Sequence, residues 1–337
     1  MKFEFISIKD PHLSLGFQNK IRKNYEQDIT TKFNFVKQYC LDNNIKHIVF
    51  TGDVFDSSRE INWSFKKYRK NKRLLGEFKL AGIKIHSNVG NHDMFHGHED
   101  SSNTVFGEMV NDQILNNITT DPLIFEMGNK VIIIQGVDYS VDNSIVSERI
   151  KKFDSLKYPG MHLYKICVLH SNITPSENEF SDFTYSHMSE TYNNIDVFIC
   201  GHYHVGYKTK LIDRKEKPLT IINNWNFTRV IRDYETKLNE HTPEFEHITI
   251  EADEDFKVST KTIKVPFAPY DQAFIPELIK FGSLSKKEIS RFFKEINIDQ
   301  IKQSSSKSDE DLINIIAKEK SFDKEVKELA LYYLNEN

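Results

Sequence analysis

Five times along this chain a short apolar run ends on a cluster of Asp, Asn or His. Phe3, Phe5, Ile6 and Ile8 lead to Asp10-Pro11-His12, and Ile45 to Phe50 leads to Gly52-Asp53-Val54-Phe55-Asp56. Ile83 to Val89 leads to Gly90-Asn91-His92-Asp93, Lys165 to Leu169 leads to His170, and Val197 to Cys200 leads to Gly201-His202-Tyr203-His204. Runs of this length and β-branched content read as buried strands. Each cluster therefore belongs at a strand's C-terminal end, where ligands collect on an open α/β sheet. Together the clusters hold carboxylates, one amide and several imidazoles, the oxygen and nitrogen donors of a first-row metal site.

The segments between them alternate with the strands. Ile21, Ile29, Phe33, Val36 and Cys40 recur at near-helical spacing, which predicts a helix over 17–41 that Asn43-Asn44 ends. A basic amphipathic helix is predicted over 61–80, stopped near Gly82. This β-α-β-α-β order predicts a layered α/β domain. Further strands are expected over 131–137, 219–222 and 247–250, a helix over 144–153, and a polar, aromatic loop over 173–188. Near Glu251 the composition changes. A strand over 258–265 and a joint with Pro266, Pro269 and Pro276 precede helices, one of them opened by Ser285 and Glu288 in capping-box spacing. The run 303–308 reads as a linker before two short amphipathic helices. The organisation expected is a main domain over 1–254, a small capping domain over 255–302, and a linker with C-terminal helices over 303–337 that could dock on a partner.

A net charge of -4 argues against a broad basic field for nucleic acid. Any such contact must come from a local patch or from bound cations. Lys66 to Arg73 holds six basic residues in eight. A charged helix face is the simpler reading of it, and a phosphate contact the other. Cys40, Cys167 and Cys200 are odd in number, and two lie in strand-like runs, so buried free thiols of a reducing compartment are expected. No apolar run approaches the ~20 residues of a membrane span, and the chain enters a strand at Phe3 without a leader pattern. A soluble cytoplasmic protein, in a bacterial host if phage-encoded, is the expectation. His47, His86, His162, His187, His241 and His247 read as strand, loop or surface histidines, and His96 and His98 as members of a solvated loop. Trp63 and Trp225 read as core residues.

In order, the clusters spell D-x-H, G-D-x-x-D, G-N-H-D, a lone His and G-H-x-H. Any one arises by chance, but all five in order, each after a strand, are a specific signal. They resemble the calcineurin-like metallophosphoesterase superfamily over roughly residues 1–250. The resemblance implies an α/β fold: a two-sheet sandwich flanked by helices, here with a small C-terminal α/β cap and terminal helices. It implies hydrolysis of a phosphodiester at two divalent ions, which lower the pKa of water and neutralise the phosphoryl oxygens. Asp10, His12 and His204 would hold the first ion, Asn91, His170 and His202 the second, and Asp53 both. His92 would protonate the leaving alkoxide or orient the phosphate. Asp93 would fix the His92 ring through a hydrogen bond, and Asp56 would position the motif or a water.

Within that superfamily, Gly52-Asp53-Val54-Phe55-Asp56-Ser57-Ser58-Arg59, the Val168-Leu169 before His170, and residues 221–250 are similar to the SbcD-type nuclease subunits of double-strand-break repair complexes, including phage recombination-endonuclease small subunits. The resemblance implies a Mn²⁺-dependent nuclease, with Mg²⁺ as the other candidate ion. It implies exonuclease action on duplex DNA ends, endonuclease action on single strands, a homodimer, and an SbcC-type coiled-coil ATPase partner. Lys9 stands where that family has a small or hydroxyl residue, and Asn223-Asn224 where it has Gly-Ser; neither change removes a ligand. The alternatives are a small-molecule phosphodiesterase or protein phosphatase of the same superfamily, and a non-catalytic DNA-repair scaffold.

Overall fold

The computed structural model of the chain describes residues 2–13, 23–56, 65–94, 101–178, 181–214, 217–229, 241–253 and 255–274. Its first compact unit comprises Met1–Asn19, Asn24–Val230 and Glu240–Ala268. Two six-stranded sheets form this unit. In the first, β1 (Lys2–Ile8), β2 (His47–Phe50), β3 (Lys84–Ser87) and β4 (Leu115–Asn117) run parallel in that order. The antiparallel pair β13 (Glu244–Ala252) and β14 (Phe256–Lys264) extends it beyond β1. In the second, β6 (Lys130–Val137), β7 (His162–Leu169), β10 (Val197–Cys200) and β12 (Leu219–Asn223) are parallel neighbours. Antiparallel β5 (Leu123–Met127) and β11 (Tyr207–Ile212) close its edges.

Period-two alternation decides which side chains face which layer. Phe5 of β1, Val49 of β2, Ile132 and Ile134 of β6, Ile166 and Val168 of β7 and Ile199 of β10 meet in one cluster between the sheets. Their alternates face helices. Ile6, Ile8, Ile48 and Phe50 pack with Ile29, Phe33 and Val36 of α1 (Tyr25–Asp42) and Leu75 and Phe78 of α2 (Phe65–Leu80). Val131, Ile133, Cys167 and Phe198 pack with Val146, Ile150 and Phe153 of α4 (Asn143–Asp154). The result is a helix–sheet–sheet–helix sandwich whose inner strands are apolar on both faces. The three cysteines are free and buried. Among the described residues no helix is long and apolar enough to cross a membrane.

Several elements differ from expectation. The described helices α1 and α2 begin at Tyr25 and Phe65; residues 17–22 and 61–64 of the predicted helices lie outside the described residues. The stretch 173–188 is not one loop. It pairs Ile173–Thr174 (β8) with Phe183–Thr184 (β9) and enters α5 (Tyr185–Thr191), capped where Thr184 Oγ1 accepts from His187 N–H. A further helix, α3 (Val105–Asn111), is capped in the same way by Thr104. The hairpin β13–β14 spans residue 255, so the compact unit runs on to Ala268. The second unit comprises Lys20–Lys23, Ile231–Asn239 and Pro269–Asn337; its described part holds a short helix, α6 (Tyr270–Ala273), with Lys23 N–H donating to the Ala273 carbonyl. The expected remainder of the cap, the linker and the terminal helices lie outside the described residues, as do Trp63, His96 and His98.

His47 opens β2 and His86 lies within β3, and His47 Nδ1 lies 3.1 Å from His86 Nε2. Burial pushes both imidazoles down, His47 to about 4 and His86 to about 3. Both are therefore neutral in the folded chain at pH 7. Below about 6.5, the unfolded chain takes up these protons and the folded chain does not, so stability falls with pH until the folded pKa values are reached. With EDTA present, the urea midpoint should drop between pH 7 and pH 4.5, and His86→Leu should flatten that drop.

Candidate metal centre

The parallel strands deliver the motifs to one end of the sandwich. Asp10 and His12 follow β1, Asp53 follows β2, Asn91 to Asp93 follow β3, His170 follows β7, and His202 and His204 follow β10. Two glycines of the motifs let the loops interlock. A side chain at Gly52, at φ +83°, would meet His170 Nδ1 at 2.7 Å; one at Gly90 would meet Asp53 N at 2.2 Å. Asp10, His12, Asp53 and His202 themselves take positive φ of 41°, 44°, 45° and 79°. Non-glycine residues adopt that region at a cost, and where they cluster the surrounding structure enforces it.

The donor atoms converge in three groups, of which His12, Asp56 and His92 form one and the other two hold the expected ligands. Asp10, His12 and His204 offer ligand atoms all within 4.8 Å of one another, and so do Asp53, His170 and His202. In the first, His12 Nε2 lies 3.0 Å from His204 Nε2. In the second, Asn91 Oδ1 lies 3.0 Å from His170 Nε2 and 2.9 Å from His202 Nδ1. Asp53 Oδ2 stands between them, 3.6 Å from His12 Nε2 and 3.3 Å from His170 Nε2. Backbone and hydroxyl groups fix the carboxylates. Asp10 accepts from Thr51 Oγ1 at 3.0 Å and from His202 N–H at 2.9 Å, and Asp53 Oδ1 accepts from His92 N–H at 2.8 Å.

The tautomers follow from these contacts. His170 Nδ1 donates to the Thr51 carbonyl at 2.7 Å, which turns Nε2 toward Asp53. Asp56 Oδ1 lies 3.6 Å from His12 Nδ1, a carboxylate on the ring's far side from His204. Burial keeps His12 well below the usual imidazole range and brings His202 down to about 3, so both are neutral. Burial works against charge on Asp53, yet the imidazoles of His170 and His92 hold its carboxyl well below the usual range. His170 goes the other way: despite burial, Asp53 and Asp10 raise it to about 9. The neutral imidazoles of His12 and His202, the His170 imidazole once its proton is displaced, and the buried carboxylates match the donor set that divalent first-row ions take.

One expected contact is corrected. Asp93 does not hold the His92 ring. The turn closed by Asp93 N–H on the Gly90 carbonyl sends its carboxylate back onto the N–H groups of Gly90, Val54 and Phe55, at 3.0, 3.2 and 3.0 Å. The His92 ring donates through Nδ1 to the Asp56 carbonyl at 2.7 Å, leaving Nε2 for other partners. Asp93 thus ties the second motif to the third. Two neighbours carried no signal in the sequence: Thr51, which bonds both Asp10 and His170, and Tyr139, whose ring lies 5.2 Å from that of His202. Burial and the Asp182 and Asp53 carboxylates raise the Tyr139 phenol, so it stays protonated. Trp225 stacks on His241 at 4.9 Å and donates its backbone N–H to Glu244.

Two outcomes are expected. Because His170 carries a proton below about pH 9, Mn²⁺ must displace it. Mn²⁺ affinity should fall as pH drops from 9 to 7, with proton release that calorimetry in buffers of different ionisation enthalpy can count. Gly90→Ala drives a Cβ into Asp53 and should cost at least about 1–3 kcal/mol of stability, with Mn²⁺ binding lost in the same titration.

No curated protein sequence matches the chain. Among solved structures it is similar to the calcineurin-like phosphoesterase YfkN from Bacillus subtilis, at 13% identity and a TM-score of 0.47 over 80% of this chain and 94% of that one. It is similar also to a dimetal phosphatase from Danio rerio, at 11% identity and a TM-score of 0.41 over 79% and 99%. The family model for calcineurin-like phosphoesterases matches residues 10–206, a span that opens on Asp10 and takes in every residue of the two donor groups. That span is more than half of the 337 residues, and the chain belongs to the calcineurin-like phosphoesterase family.

Proposed function

We propose that this chain is a two-metal phosphodiesterase that cleaves DNA, from duplex ends and within single strands, alongside an SbcC-type ATPase. The observation that carries the hydrolase reading is the place of Asp53 Oδ2, within 3.6 Å of one imidazole from each donor group. Asp10, His12 and His204 would hold one ion, Asn91, His170 and His202 the other, and Asp53 would be shared. Divalent ions held there lower the pKa of water and screen the charge of a phosphodiester.

The chain's own residues do the rest. Thr51 and two backbone N–H groups orient the carboxylates before any ligand arrives. His92 stands beside the first donor group, its ring 5.1 Å from that of His12. With Nδ1–H fixed on Asp56, its Nε2 can carry the proton that a leaving alkoxide needs.

The DNA part rests on the run from Gly52 to Arg59 and on residues 221–250, which are similar to SbcD-type nucleases. The basic helix α2 does not support it, because Lys70 pairs with Glu26 and Lys72 with Asp112. That pairing favours the second reading, a small phosphodiester as substrate. The homodimer and the ATPase partner belong to the same proposal. The apolar stripes suited to docking, Leu312 to Leu329, lie outside the described residues.

Turnover of linear duplex and single-stranded DNA should depend on Mn²⁺ and exceed that of cyclic nucleotides and phosphopeptides. Preference for cyclic nucleotides would establish the second reading instead. His92→Ala should lower kcat by about 10²–10⁴-fold while Mn²⁺ and DNA binding persist.

A further inference from the structure

Tyr139 belongs to none of the five motifs, yet it is built into their frame. It lies two residues past β6, whose parallel neighbour β7 delivers His170. Two hydrogen bonds lock it to the third motif. Its own N–H donates to the Val89 carbonyl at 3.0 Å, and Val89 N–H donates to Asp138 Oδ1 at 2.8 Å. Asp138 is itself held by Thr119 Oγ1 at 2.6 Å. The loop that carries Asn91 and His92 and the residue that carries the phenol therefore move as one piece.

The ring lies against the second donor group. Its centroid is 5.2 Å from that of His202 at 40°, and 6.0 Å from that of His170 at 77°. The side chain is only part-buried. Its hydroxyl makes no hydrogen bond with any described residue. Three other tyrosines do: Tyr25 donates to the His12 carbonyl, Tyr68 to Asp112, and Tyr39 meets His247 Nδ1, whereas the buried Tyr185 hydroxyl, away from the donor groups, has none. A phenol whose ring is fixed by a protein usually finds a partner for its O–H. Here the protein supplies the fixed ring and no acceptor.

Resting on the hydrolase reading above, we propose that the Tyr139 hydroxyl is a substrate-binding donor. It hydrogen-bonds a non-bridging oxygen of the phosphoryl group bound beside His202 and His170. The bond strengthens as charge gathers on that oxygen during displacement, as for other preorganised donors. It supplies by one neutral donor what no described arginine or lysine on the motif loops supplies.

The test is Tyr139→Phe in the full chain, which keeps the ring and its contacts. Three quantities are measured: Mn²⁺ affinity, affinity of the Mn²⁺-loaded protein for inorganic phosphate by calorimetry, and kcat and KM for bis(4-nitrophenyl) phosphate. Phosphate affinity should fall about tenfold, the loss of one hydrogen bond to a charged group, and kcat/KM should fall at least as far. Mn²⁺ affinity should stay within about twofold, well under the tenfold per 1.4 kcal/mol scale. Unchanged phosphate affinity overturns the inference. So does a parallel loss of Mn²⁺ affinity, which would make Tyr139 a support for the imidazoles. A wild-type chain that binds Mn²⁺ but neither phosphate nor the diester overturns the hydrolase reading itself, and the inference with it.

Discussion

Imidazole nitrogens and side-chain oxygens crowd together at the heart of this molecule. His12 Nε2 and His204 Nε2 are 3.0 Å apart, and the Asn91 oxygen looks at two imidazole nitrogens at 3.0 and 2.9 Å. Asp10 and Asp53 add two carboxylates that are almost fully buried. Buried polar atoms without a proton or a cation between them are costly. Thr51 and two backbone N–H groups offset part of that cost, and only for the carboxylates. A cation held by these donors would offset more of it, and its binding free energy would then add to folding free energy. The same balance accounts for four site residues in the left-handed region. Their backbone strain is affordable because rigid strands on both sides enforce it.

How much of this could be read from the chain alone depended on burial. Inner strands covered on both faces become unbroken apolar runs, so β10 was legible to the residue, β2 was read two residues too long at its start, and the first three residues of β7 were missed. Edge strands lack that mark. β4 is Leu-Asn-Asn and β11 is Tyr-Lys-Thr-Lys-Leu-Ile, and neither stands out from polar loop sequence. The seven-residue helices α3 and α5 are too short for a helical period to declare itself. Their one signal was the cap, Thr104 and Thr184, and a lone threonine is a weak one.

At the site, residue types and their strand-end positions were legible, and hydrogen-bond directions were not. Asp93 follows His92 in the chain, so a bond between the two side chains was the natural expectation. The turn at Gly90 decides otherwise by reversing the chain, which puts the carboxylate within reach of three backbone N–H groups. Burial and the charge on Asp53 push Asp93 up to about 8 against the pull of those donors. Its work is to join two loops. Thr51 was hidden for a similar reason: a threonine at a strand's end announces nothing until its neighbours across the sheets are known.

Lys9 and Asn223, far apart in the chain, form one feature. Lys9 is fully buried, and its ammonium donates to Asn223 Oδ1 at 2.5 Å. Asn223 in turn donates to the Ile173 carbonyl at 3.0 Å, and Phe227 N–H donates to the Lys9 carbonyl at 2.8 Å. Lys9 follows β1 of one sheet and Asn223 ends β12 of the other, so the pair joins the two sheets just beneath Asp10. A buried ammonium needs both an acceptor and nearby negative charge. Asn223 supplies the first, and Asp10 and Glu244 lie close enough to feel its field. Glycine and serine at 223 and 224 would take that amide acceptor away, and a small residue at 9 would leave the Asn223 oxygen without its ammonium. The local geometry around Asp10 is therefore held here by a charge-assisted hydrogen bond that spans 214 residues of chain.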